Sequence, residues 1–184
     1  ALLFQPSLFL ISKVLDSLTG KSYEVVSPLV SLDIEVPYVF VAIGVIISAI
    51  PGAFMEELGW RGFALPIMQS KKASLVAGII LGLIWGVWHI PSMIFFGETS
   101  VLNIIWAVLN TIPGTLLFVW LFNNTNGSLL LVTLFHASIQ FSENFLGQIP
   151  TQTDNVLIWL VTIIVVLVTG ARNLSQKYDR IRSE

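Results

Sequence analysis

The chain has 184 residues, 55% of them hydrophobic and 11% charged, and a formal net charge of −2, against about 25% charged residues in an ordinary soluble domain. With a mean hydropathy of +0.85 and several apolar stretches near the roughly 20 residues that cross a bilayer, it reads as an all-α, polytopic membrane protein. No basic stripe is available to carry phosphates, which excludes a nucleic-acid partner. The absence of cysteine excludes disulfides, thiol nucleophiles and Cys-ligated metals.

The spacing predicts apolar segments over residues 1–12, 37–69, 73–97, 101–122, 128–148 and 155–171. These make about five to six spans, since a segment in lipid must satisfy its own backbone groups. The first begins at Ala1 without a basic n-region and reads as the remnant of a span, with further spans expected upstream. A polar stretch follows from Lys13 to Val36. The whole is read as one membrane domain, with a partial span and polar loop over 1–36, a core over 47–144, a last span over 155–171 and a basic tail over 172–184.

Basic residues set the orientation. Lys71 and Lys72 share one loop, and Arg172, Lys177, Arg180 and Arg182 follow the last span, whereas the loops at Glu98 and Asp154 carry no Lys or Arg. The 71–72 loop, the turn over 123–127 and the C-terminus are therefore expected on one side, the cytoplasmic one, of a cell membrane.

Within the second segment, FMEELGWRGF holds three charges at Glu56, Glu57 and Arg61. Each costs about 2.5–3.5 kcal/mol at the centre of a bilayer on insertion scales, so the cluster reads as functional. Glu57 and Arg61 are i and i+4 and are expected to pair on one helix face. Glu56 is turned about 100° away from Glu57.

In the third segment Gly78, Gly82 and Gly86 form a small-xxx-small stripe that lets another helix approach closely. His89 projects within about 20° of Gly78, on the same face, with Trp85 on the other side of the stripe. Pro91 removes a backbone donor and leaves the carbonyl of Val87 without its usual partner, so a kink is expected beside His89. In the segment over 128–148, Thr133, His136, Gln140, Glu143 and Asn144 fall within an arc of about 100°. Asn124 and Asn126 sit in N-x-Ser/Thr matches read as chance. The tryptophans at 60, 85 and 88 read as packing or interface residues.

A carboxylate and a histidine together can take a proton from water, and a second histidine with a carboxamide can stabilise an oxyanion. Glu56, Glu57, Arg61, His89, His136 and Gln140 supply these groups. The segment EELGWRGFALPIMQ resembles the EExxxR motif of the CPBP family, the CAAX proteases and bacteriocin-processing enzymes also called Abi. LGLIWGVWHIP resembles its second motif, here Trp85 and His89, and NNTNGSLLLVTLFHASIQ its third, here His136 and Gln140.

The resemblance runs from about Ile47 to Asn144. It implies a glutamate-dependent intramembrane endopeptidase of the type II CAAX prenyl endopeptidase kind, acting on a membrane-associated or lipidated peptide and needing no cofactor. It further implies that Glu56 activates water with His89, that His136 and Gln140 form the oxyanion hole, and that Glu57 and Arg61 support them. Gln140 stands where the family most often has Asn, one methylene shorter. Glu57 and Arg61 also read as a buried structural pair holding two helices, and three other functional readings stay open: a non-proteolytic scaffold or regulator of a membrane partner, a zinc enzyme using two His and a Glu, and a channel or transporter. The oligomeric state is left open by the sequence.

Overall fold

The computed structural model describes residues 2–20, 38–145 and 152–175, all in helices or the turns joining them. The helices are α1 (Phe4–Leu18), α2 (Tyr38–Gly59), a π-helix (Trp60–Ala64), α3 (Leu65–Gln69), α4 (Ser74–Phe95), α5 (Val101–Asn124), α6 (Leu129–Phe145) and α7 (Gln152–Thr169). Because α2, the π-helix and α3 follow one another without a break, the described chain makes six helical rods. Three helices among the described residues, α4, α5 and α7, are long and apolar enough to cross a membrane, and α6 holds a shorter apolar stretch, Leu129–Ser142. Glu143, Asn144 and the tail residues Lys177, Arg180 and Arg182 have side chains outside the described set.

Two compact units make up the chain: residues 1–58 with 129–157, and residues 59–128 with 158–184. In the first, α1 runs to Leu18, past Lys13, where the sequence pattern placed a polar stretch. The continuation is amphipathic: Phe9, Ser12 and Asp16 are its buried residues. The Ser12 and Asp16 side chains are bonded to Asp154 and Thr153 at the start of α7, so polar residues are held where an apolar span was expected to have ended. Phe4 packs on Phe135 of α6 at 5.4 Å between ring centroids. Ala49 and Ala53, one turn apart on α2, are buried with Ala137 of α6.

In the second unit the glycine stripe of α4 lies against α5. A Cβ added at Gly82 would stand 2.9 Å from the Cα of Ile112, and one at Gly86 2.9 Å from the Cα of Val108. Only hydrogen fits there, so the helices touch backbone to backbone. Thr111 strengthens the seam by donating to the Gly82 carbonyl at 2.7 Å. Leu65, Ala77, Leu81, Ile112, Leu116 and Val119 form the core around it.

One end of this unit is tied by backbone and amide groups. The Ser74 and Leu75 amides at the start of α4 donate to the carbonyls of Arg172 and Ala171 at 2.8 and 3.0 Å, which satisfies donors that a helix N-terminus leaves without partners. Asn123 donates to the Asn173 carbonyl at 2.7 Å and Asn124 to the Leu174 carbonyl at 2.9 Å. The α3–α4 turn, the end of α5 and the segment after α7 thus share one end, as the basic residues predicted. Asn126 and Gly127, with φ of 55° and 73°, close the turn that follows α5, a conformation Asn and Gly adopt at least cost.

Candidate active site

The first unit carries a hydrogen-bonded polar chain. Ala49, Ala53 and Glu57 recur every four residues, so the small side chains that admit α6 lie on the stripe that ends in Glu57. Glu57 is fully buried, and its Oε1 lies 2.8 Å from Nδ1 of His136, also buried. One turn further along α6, Nε2 of Gln140 lies 3.4 Å from Nε2 of His136. Glu56 is half-buried on the neighbouring face of α2.

This geometry constrains protons. A carboxylate can only accept, so His136 donates its Nδ1–H to Glu57. In the neutral ring Nε2 then has a lone pair and can accept from the Gln140 amide. In the doubly protonated ring Nε2 becomes a donor, and the Gln140 carboxamide must present its oxygen instead. Glu57 therefore orients His136, a role beyond the expected pairing with Arg61.

The second unit holds its polar groups on aromatic faces. Arg61 is fully buried within the π-helix, where widened i→i+5 bonding replaces the α pattern, a feature often found at functional sites. Its guanidinium carbon lies 3.9 Å from the centroid of Phe118 and 5.0 Å from that of Trp85, both within cation–π range. His89, half-buried, has Nδ1 at 2.7 Å from the Trp85 carbonyl oxygen. A carbonyl also only accepts, so Nδ1 carries the proton and Nε2 is the basic nitrogen of the neutral ring. The imidazole is flanked edge-on by Trp85 at 5.2 Å and Trp88 at 4.9 Å, and Trp60 meets Trp88 at 6.1 Å. The three tryptophans do pack, and two of them also position His89.

Glu57, His136 and Gln140 are thus brought together in one unit, and Arg61, His89 and Trp85 in the other. Among the described residues no group of three His, Cys, Asp or Glu side chains is placed to hold a metal ion. Phe118, the closest ring to Arg61, was missed by the sequence reading, because nothing in a run of buried apolar residues marks one as a cation's partner. Asn123 and Asn124, turn residues by composition, cap the Asn173 and Leu174 carbonyls instead, and adjacent carboxamides at a helix end are the signal for it.

Among the described residues, long apolar helices carrying buried Glu, Arg and His side chains define a helical membrane protein with polar chemistry within it. The profile of the type II CAAX prenyl endopeptidase Rce1-like family matches residues 38–142, and the chain belongs to that family. It is 30% identical over 125 residues to a CAAX prenyl protease 2 from Methanococcus maripaludis, covering 62% of this chain and 46% of that protein. The chain thus spans about half the length of this curated relative. No solved structure matches it.

Proposed function

We propose that the chain is the core of an intramembrane endopeptidase that hydrolyses a peptide bond of a membrane-associated or lipidated peptide. The observation that carries this reading is the family match over residues 38–142, which contains Glu56, Glu57, Arg61, His89, His136 and Gln140. The name of the archaeal relative supplies the substrate class to test first, a prenylated CAAX peptide.

In this mechanism Glu56, assisted by Nε2 of His89, accepts a proton from water as the water oxygen attacks the scissile carbonyl carbon. The carbonyl oxygen becomes an oxyanion, stabilised by hydrogen bonds from His136 and Gln140. Collapse breaks the C–N bond, and the proton taken from water passes to the leaving amine. Donation from His136 Nε2 while Nδ1–H is held by Glu57 requires the doubly protonated ring, for which Glu57 serves as counter-ion. Arg61 supports Glu57 from the following turn. The chain acts as one membrane domain of five to six spans, with its C-terminus in the cytoplasm.

A comparison of membrane-peptide termini in cells carrying wild type or Glu56→Gln tests the function. New termini that depend on wild type identify both activity and substrate. Identical termini in the two strains contradict the reading.

A further inference from the structure

The second unit carries an apolar groove that the proposed chemistry does not use. Its volume is about 310 Å³, and its walls are Leu75 and Ile79 of α4, Ile112 and Leu116 of α5, and Trp159, Thr162, Ile163, Val166 and Leu167 of α7. The two polar groups on that wall are turned to the protein. Thr162 donates to the Pro113 carbonyl at 3.1 Å, and the Trp159 indole N–H donates to Asn110 at 3.1 Å. What faces the groove is hydrocarbon and an indole ring.

The groove has a direction. Leu75 and Ile79 lie in the first turns of α4, and Val166 and Leu167 in the last turn of α7. Trp159 is ten residues before the end of α7, so the groove runs about 15 Å inward at 1.5 Å per residue. Its mouth is basic. Lys71 and Lys72 immediately precede α4, and the Arg172 carbonyl is bonded to the first amide of α4 at 2.8 Å. This places three cationic residues around one end, and all three are exposed.

We propose that the groove binds one anionic phospholipid, with an acyl chain along α4, α5 and α7 and its phosphate at Lys71, Lys72 and Arg172. The observation that selects this occupant is charge complementarity at the mouth of a hydrocarbon slot. A neutral lipid would satisfy the slot alone, whereas an anionic headgroup also meets the cations. The site rests on the helices lying in a bilayer and is independent of the peptidase reading.

The test uses the full chain in nanodiscs of phosphatidylcholine alone or of phosphatidylcholine mixed with phosphatidylglycerol, with bound lipid counted by native mass spectrometry after transfer to detergent. Wild type is expected to retain phosphatidylglycerol over phosphatidylcholine by on the order of tenfold to a hundredfold, from three cations near an anionic surface. The triple variant Lys71→Gln, Lys72→Gln, Arg172→Gln keeps a bound lipid but loses that preference. Ile163→Trp fills the slot and lowers retention of both lipids. Equal retention of the two lipids by wild type, or an undiminished preference in the triple variant, overturns the proposal. The chain has no cysteine, so Ile163→Cys gives a single reporter. Efficient Ile163→Cys crosslinking between two copies in the bilayer also overturns it, because protein would then cover the groove.

Discussion

The two units surround their buried charged groups with different neighbours. In the first, Glu57 and His136 satisfy each other through a 2.8 Å hydrogen bond, reached because Ala49 and Ala53 let α6 come close to α2. In the second, Arg61 rests 3.9 Å from the ring centroid of Phe118, and the helices are closed by glycines instead. The difference is one of tolerance. A hydrogen-bonded buried pair fails when either partner is removed, because the remaining group is left buried without its partner. A cation over ring faces depends on shape and planarity and loses strength by degrees.

Breaking the first arrangement should have the largest effect. Glu57→Ala is expected to destabilise the chain by about 3–5 kcal/mol, the cost of removing one member of a buried pair, seen as a large fall in Tm in detergent. A loss below about 1 kcal/mol would mean that the His136 contact contributes little. Next comes the glycine seam of the second unit. Gly82→Leu must push against the Ile112 backbone, 2.9 Å from the position of a Cβ, and should cost about 1–3 kcal/mol or more by overpacking. Gly52→Ala, at a site with open space around the added Cβ, should be tolerated and serves as its control.

The aromatic support of Arg61 sharpens the comparison at a smaller scale. Arg61→Lys keeps the charge but loses the planar stacking surface, and about 0.5–2 kcal/mol of stability should go with it. If Tm is unchanged, the rings are packing and nothing more.

The smallest effect concerns the turn before α5. Glu98 accepts from the Ser100 amide at 2.7 Å and from Asn103 at 3.0 Å. These bonds, the one from Ser100 first, hold its carboxyl below the ordinary 4.5. A depressed folded-state value means stabilisation that is complete above about 4.5 and disappears as pH falls through the folded-state value. Wild type should therefore be slightly more stable than Glu98→Gln at neutral pH, and the two should converge in acid. A difference in Tm that persists below that window would assign the effect to something other than the carboxylate.

Much of this was legible in the sequence, and the limits have physical causes. The Gly78–Gly82–Gly86 stripe was readable because one residue type at period four admits few meanings inside a span. The shared end of the 71–72 loop, the turn after α5 and the residues after α7 followed from charge placement. The long apolar helices followed from length, although α1 continues through Lys13 to Leu18, where Ser12 and Asp16 are bonded to Asp154 and Thr153 at the start of α7.

The partner of Glu57 was less accessible. Helical arithmetic finds Arg61 four residues away, but it carries no information about a histidine 79 positions along the chain. It also assumes about 100° per residue, which the π-helix at Trp60–Ala64 does not keep. At about 1.5 Å per residue, Glu56 lies about 22 Å from the 71–72 loop and His136 about 12 Å from the turn before α6. Yet Glu57 and His136 meet, because helices in a bundle need not begin at one level.

Under the function proposed above, the two adjacent carboxylates divide the work, Glu57 holding His136 and Glu56 activating water. The direct measurement is turnover of a prenylated CAAX peptide by the purified, reconstituted chain, with Tm recorded on the same samples. Glu56→Gln should lower kcat by about 10²–10⁴-fold, the usual contribution of a positioned general base, and leave stability, read from Tm, within about 0.5 kcal/mol of wild type. Turnover that survives Glu56→Gln, or a loss of turnover accompanied by unfolding, would contradict the account.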